Sequence, residues 1–209
     1  MANVNFKTPL GELQWVVISG EGKPDLQGRM KYSANVLISK EEGEALKTTL
    51  DAYWEANRPK SVKLPKSTGL YPHMIKTDEV DPDTDKAIYV EDPEGRVEVR
   101  LKTNTTWPKD NKPVTIKVLR ANGNPINLGD KEIGNVSIGV LHGSYGIYSV
   151  KMPNGKISDA GITMYLSQVQ LQKFVAFEGD NTPVEAISEV EDDGLDDVDM
   201  TEALDGPKI

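Results

Sequence analysis

Arg96, Glu98, Arg100 and Lys102 stand at every second position of one run, with Val97, Val99 and Leu101 between them. Side chains alternate across a strand, so this run turns a mostly cationic row one way and an apolar row the other. Trp107 follows in a stretch that also holds Pro108, Lys109 and Lys112. Cations neutralise phosphates, and an exposed aromatic ring gives a base a face to stack on, worth about 1–3 kcal/mol per base. Lys117 and Arg120 come from the next apolar run, and Tyr148 and Lys151 from the run Tyr145-Gly146-Ile147-Tyr148-Ser149-Val150-Lys151. Arg29 and Lys31 add two cations from an earlier one. Together these residues have the chemistry of a surface that grips a single nucleic-acid strand.

Other aromatic residues fit a core better. Tyr145 and Tyr148 face opposite sides of one strand, so at most one lines such a surface. Tyr32 shares its face with Met30, Ala34 and Val36. Trp15, Tyr53 and Trp54 sit in apolar patterns and are expected to pack.

Catalytic chemistry finds little support. The sequence has no Gly-rich triphosphate loop and no Gly-x-Ser-x-Gly elbow, and His73 and His142 lack metal-ligand spacing. With no cysteine there is neither a thiolate metal site nor a disulfide. Asp81-Pro82-Asp83-Thr84-Asp85 opens like a calcium loop, but Lys86 takes the sixth position, where Gly makes the turn, and Asp92 the twelfth, where Glu is usual. We expect no catalytic residue, metal or cofactor. The alternatives are a metal-dependent nuclease using the Asp81–Asp85 acids and a structural interaction protein without DNA affinity.

The elements that must position the cations are mostly strands. Residues 13–20 and 28–38 read as strands, the second with Met30, Tyr32, Ala34, Val36 and Ile38 on one face. Residues 39–57 read as a helix: Ser39 and Glu42 form a capping box, Leu46, Leu50, Tyr53 and Trp54 make one stripe, and Arg58-Pro59 ends it. The stretch 58–69 is basic and Pro-rich, exposing Lys60, Lys63 and Lys66. Further strands are expected at 70–76, 87–91, 96–105, 114–120, 136–142, 145–152 and 162–177. Pro153-Asn154-Gly155 is the strongest hairpin turn among them. Many short strands with one helix imply a mainly β barrel or sandwich.

Charge divides the 209 residues unevenly. Residues 178–209 hold twelve acids and one lysine, a net −11, within a total of −9, which leaves the preceding residues at +2. Lacking aromatics and periodicity beyond about residue 179, this segment cannot offset an ordering cost of about 1–2 kcal/mol per residue. The expected organisation is a strand-binding domain over 1–178 and a disordered acidic tail over 179–209. The N-terminus has no signal-peptide pattern and no run reaches membrane-spanning length, so a soluble intracellular protein with no membrane partner is expected.

The layout resembles the single-stranded DNA-binding proteins of phages, of the T7 type. The likeness is carried by Ile162-Thr163-Met164-Tyr165-Leu166-Ser167-Gln168-Val169-Gln170-Leu171-Gln172-Lys173-Phe174-Val175, a last core strand leading into an acidic tail, and by the hairpin 145–161 before it. The resemblance implies an OB-fold barrel that coats single-stranded DNA without sequence preference in replication, recombination and repair, in the cytoplasm of a bacterial host. It also implies a tail that competes with DNA for the basic groove and contacts replication proteins. Asp192, Asp193, Asp196, Asp197 and Asp199 would serve that contact. Such tails commonly end in an aromatic residue; here Ile209 takes that place.

Overall fold

The computed structural model describes residues 3–25 and 27–177. The expected acidic tail, with Asp192, Asp193, Asp196, Asp197, Asp199 and Ile209, lies outside them.

Alternation builds the sheet. Strand β4 (Met30–Ile38) buries Tyr32, Ala34, Val36 and Ile38, and β8 (Val97–Asn104) buries Val99 and Leu101 against them. Both inner rows join one core with Leu13, Leu141, Ile162, Met164 and Val169. β2 (Gly11–Val17) pairs with β4, and its start pairs with β10 (Ile138–Lys151). β10 turns back through Pro153-Asn154-Gly155 into β11 (Ile157–Lys173), with Gly155 at φ 79° and its amide donating to the Met152 carbonyl. The turn is the hairpin the sequence predicts. β10 runs unbroken where the sequence suggests two strands; bulges at Ile138/Gly139, His142/Gly143 and Val150/Lys151 explain the lapses in its period.

The remaining strands are short. β1 (Val4–Lys7) flanks β10, β3 (Lys23–Pro24) flanks β4, and β9 (Lys117–Leu119) runs parallel to β11. β5 (Leu70–Pro72) pairs with β8. The ladder β5-β8-β4-β2-β10-β11-β9 does not close on itself. Its seam is bridged by the segment before β5: the Lys66 amide donates to Ala160, the Ser67 carbonyl accepts from Ile162, and the Gly69 carbonyl accepts from Arg100.

Helix α1 (Lys40–Asn57) begins at the capping box the sequence predicts, with the Ser39 hydroxyl accepting from the Glu42 amide and Glu42 accepting from the Ser39 amide. Its stripe plugs the core through Leu50 and Trp54, and the Trp54 indole donates to the Lys63 carbonyl at 3.1 Å. Tyr53 meets the Tyr145 ring edge-on at 4.9 Å. Gly43 lets the helix approach β8, since a Cβ there would lie 2.5 Å from Val97.

The predicted strand at 70–76 breaks at His73. Beyond it, β6 (Met74–Val80) and β7 (Ala87–Glu91) form a separate two-stranded arm. Its base is pinned by Asp92, whose buried carboxylate bonds His73 Nδ1 at 2.9 Å and Arg96 Nε at 2.5 Å. The His73 bond, with help from Arg96 and the Glu94 amide against the cost of burial, holds Asp92 at about 2, below the usual carboxylate range. Asp81 to Asp85 form the arm's tip, where the Asp81 carboxylate accepts from the Asp83 and Thr84 amides as a turn cap. No group of three His, Cys, Asp or Glu side chains among the described residues is arranged to hold a metal. No helix among them is long and apolar enough to cross a membrane.

Candidate nucleic-acid interface

The outer face of β4 and β8 follows from their register. Lys31 stands opposite Asn104, Ser33 opposite Lys102, and Asn35 opposite Arg100. Lys23 on β3 extends the first row, since it stands opposite Lys31. One face thus carries Lys23, Lys31, Lys102 and Arg100 beside the neutral Ser33, Asn35 and Asn104 and the acid Glu98.

Charge on this face is crowded at one end. Arg29 closes the loop between β3 and β4 by bonding the Asp25 carboxylate through Nε at 2.8 Å, and Lys31 Nζ lies 4.0 Å from the same carboxylate. The Arg29 bond holds Asp25 at about 2. Lys31 also donates to Asn104 Oδ1. Burial pushes the Lys31 ammonium below its ordinary value; Arg29 and Lys102 push the same way, and Asp25 opposes them. Arg29 and Lys31 therefore share the Asp25 carboxylate, and Lys102 adds its charge beside Lys31. A phosphate bound there would relieve the repulsion and gain from it.

Arg100 is differently placed. Its guanidinium bonds Glu98 twice, at 2.9 and 2.5 Å, and lies 4.3 Å above the Tyr71 ring. Glu98 is buried beneath and also accepts from Asn35. Arg100 is paired and stacked, yet its side chain remains half exposed.

Trp107 opens a tight loop immediately beyond β8. Its amide donates to Lys112 and its carbonyl accepts from Asn111, while Thr105 just before it bonds the Met30 carbonyl at the start of β4. The loop therefore stands at the crowded end of the face, with the Trp107 ring 57% exposed. Lys109 and Lys112 are exposed in the same loop, and Lys112 pairs with Asp110 at 3.2 Å. Gly22 lets the loop between β2 and β3 close over this end: it has φ 77°, and a Cβ would lie 2.6 Å from the Lys31 carbonyl and 2.7 Å from Thr105.

Other predicted residues lie elsewhere. Arg96 does not join the row of Arg100 and Lys102. It precedes β8, bound to Asp92 and 3.4 Å from Glu94, and also feels the charge of Glu12. Lys117 lies on β9, at the edge of β11. Arg120 follows it, its carbonyl accepting from Gln170 Nε2 at 3.3 Å and its amide donating to Asn124. Tyr148 faces outward from β10 over Gly161, which has no side chain to obstruct it: a Cβ there would meet the ring at 2.8 Å. Lys151 ends β10, exposed beside the hairpin turn. Lys66, open in the sequence reading, pairs with Asp159 at 2.5 Å.

Tyr145 and Tyr32 are core, as expected. Tyr145 packs edge-on against Phe6, and Tyr32 donates its hydroxyl to the Gly20 carbonyl. Trp15 overturns its expected packing role, being 63% exposed. A bulge between Gln14 and Val17 turns it outward, with φ 52° and its amide bonded to Asn135 Oδ1 at 2.9 Å. The bulge moves Val16 into the core in its place. The only hint in the sequence is the doublet Val16-Val17, which no strict alternation can accommodate.

β2, β4, β8, β10 and β11 together have the strand order of an OB-type barrel with one open seam, a fold whose second and third strands, with the loops between strands one and two and between strands four and five, bind oligonucleotides or oligosaccharides. The second and third strands here are β4 and β8. No protein-family model and no curated protein matches the chain. Among solved structures it is similar to gp2.5, a single-stranded DNA binding protein encoded by bacteriophage T7, with a TM-score of 0.54 at 18% identity over 85% of this chain and 91% of that one. It is also similar to a C-terminal truncation of the single-stranded DNA-binding protein from bacteriophage Enc34, with a TM-score of 0.50 at 16% identity over 86% of this chain and 88% of the other. The fold is that of these phage proteins, as the resemblance in the last strands implies.

Proposed function

We propose that this protein binds single-stranded DNA without sequence preference and coats it, without catalysis. The observation that carries the reading is the outer face of β4 and β8, where Arg29 and Lys31 share the Asp25 carboxylate, Lys102 stands beside Lys31, and Trp107 stands at the end. The cations bind phosphates and the indole stacks a base. Backbone charge and a ring face read no sequence, so the binding is general. The similar phage structures, described as single-stranded DNA-binding proteins, support the same reading. The role extends to strand protection in replication, recombination and repair in a bacterial host. Residues 178–209, with a net −11, compete with DNA for the cationic face and engage replication proteins.

Titration with a fluorescent oligonucleotide tests the proposal. Binding with strand protection is expected with or without Mg²⁺. Mg²⁺-dependent loss of the strand would support the nuclease alternative instead. In the same assay Trp107→Ala should weaken binding by about 1–3 kcal/mol with the fold intact; unchanged affinity would remove Trp107 from the site. Deleting residues 179–209 should tighten binding at low salt and matter less as salt rises. Equal affinity of the two forms at low salt would rule out competition by the acidic segment.

A further inference from the structure

A cleft of about 860 Å³ lies between the second half of β2 and the segment that carries β9. The face of β4 and β8 uses neither this cleft nor Trp15, the most exposed tryptophan among the described residues. Trp15 lines this cleft together with Ile126 and Leu128. Phe177, 55% exposed, contributes a second ring. Lys23, Lys117 and Lys131 also line it, against the two acids Glu21 and Glu132.

We propose that this cleft is a second nucleobase site, in which Trp15 stacks a base of a strand already held on the face of β4 and β8. The inference rests on the proposed single-strand binding and extends its path. Continuity supports it first. Lys23 stands opposite Lys31 in the β3–β4 register, and neighbouring strands lie about 4.8 Å apart, so the phosphate track of the outer face runs directly to the cleft mouth. Chemistry supports it second. A nucleobase is a flat, largely apolar plate tethered to an anion. It suits a cleft with aromatic and aliphatic walls and lysines alongside. The local backbone supports it third. The bulge places Trp15 in the left-handed region, which L side chains avoid, and holds it there through Asn135 while its neighbours Leu13 and Val16 stay in the core. The fold thus presents this ring to solvent. The site also gives Lys117 a place in the binding surface that β8 alone cannot give it.

The test reads affinity against strand length. Oligo-dT probes from about 4 to about 16 nucleotides span the usual range for an OB-fold. The full-length protein, Trp15→Ala, Trp15→Phe and Trp107→Ala are compared by fluorescence polarisation. For the unaltered protein, affinity should climb across the series. Trp15→Ala should match it on the shortest probes that bind and fall roughly tenfold behind on the longest, and Trp15→Phe should recover most of that loss. Trp107→Ala should lose affinity at every length. Photocrosslinking of a 5-iodouracil-substituted long probe should label the peptide containing Trp15. If the unaltered protein binds and Trp15→Ala keeps its full length profile, or loses affinity equally at all lengths, the second site is overturned while single-strand binding stands. If the unaltered protein binds no probe, the proposed function itself fails. Labelling confined to the Trp107 peptide overturns the second site and leaves the cleft to an apolar peptide.

Discussion

Reversing Lys31 and Lys102 together to glutamate should lower affinity for an oligo-dT strand by at least about a hundredfold at low salt. A contact to a charged group is worth about 1.5–3 kcal/mol, and two are lost. The salt dependence should change with it. Each phosphate neutralised on a single strand contributes about 0.7 to the slope of log K against log salt, so the double variant should show a slope shallower by about 1.4. Both residues face outward on paired strands, and neither carries the core. Lys31 is already destabilised as a cation by burial and by Arg29 and Lys102, so an anion bound there is favoured more than at an isolated lysine. Lys86→Glu, on the β6–β7 arm, is the control. It changes net charge in the same direction per residue at a site away from the face. If Lys86→Glu matched a single reversal at Lys102, overall charge would govern binding and the face would have no special role. A salt series on the unaltered protein, the double variant, Lys86→Glu and Lys102→Glu, with thermal melts to verify folding, decides the point.

The part of this site that could be read in the sequence is the part set by period. The alternation of β8 separates Arg100 and Lys102 from Val99 and Leu101, and the structure keeps that separation. The capping box at Ser39 and the turn at Pro153-Asn154-Gly155 are equally local, and each stands where its residues place it. Features that depend on partners or phase were not legible in the same way. Arg96 shares the parity of Arg100, but the acids at Asp92 and Glu94 claim it first, and those were visible four and two positions upstream. Trp15 shares the parity of Leu13, yet one bulge reverses its direction and converts an expected core ring into the most exposed tryptophan. Lys23 lies in a two-residue strand that has no period to read, and only its pairing with Lys31 reveals it as part of the face. Binary pattern thus locates a face, while bulges and turn-borne counter-charges decide which residues reach it.

The same division predicts that stability and binding respond to different residues. Trp54→Ala should cost about 3–5 kcal/mol of unfolding free energy, since it empties a fully packed aromatic site. The ring is 2% exposed, it places α1 in the one buried cluster that also holds residues of β4, β8 and β11, and its indole N–H satisfies the Lys63 carbonyl in the connection that leads to the seam. Trp54→Phe keeps most of the apolar volume and loses the donor, so its cost should include about 0.5–1.5 kcal/mol for that bond. Urea melts should rank the proteins in that order. Binding should not follow the ranking. Trp54 lies on the core side of the sheet whose other side carries Lys31 and Lys102, and distant, independent sites add to within a few tenths of a kcal/mol. Under conditions where both variants remain folded, their affinity for oligo-dT should therefore stay within about twofold of the unaltered protein. A Trp54→Ala protein that was folded yet bound tenfold more weakly would show that the helix sets the shape of the outer face through the sheet. The cationic face would then be a property of the whole barrel, beyond the register of β4 and β8.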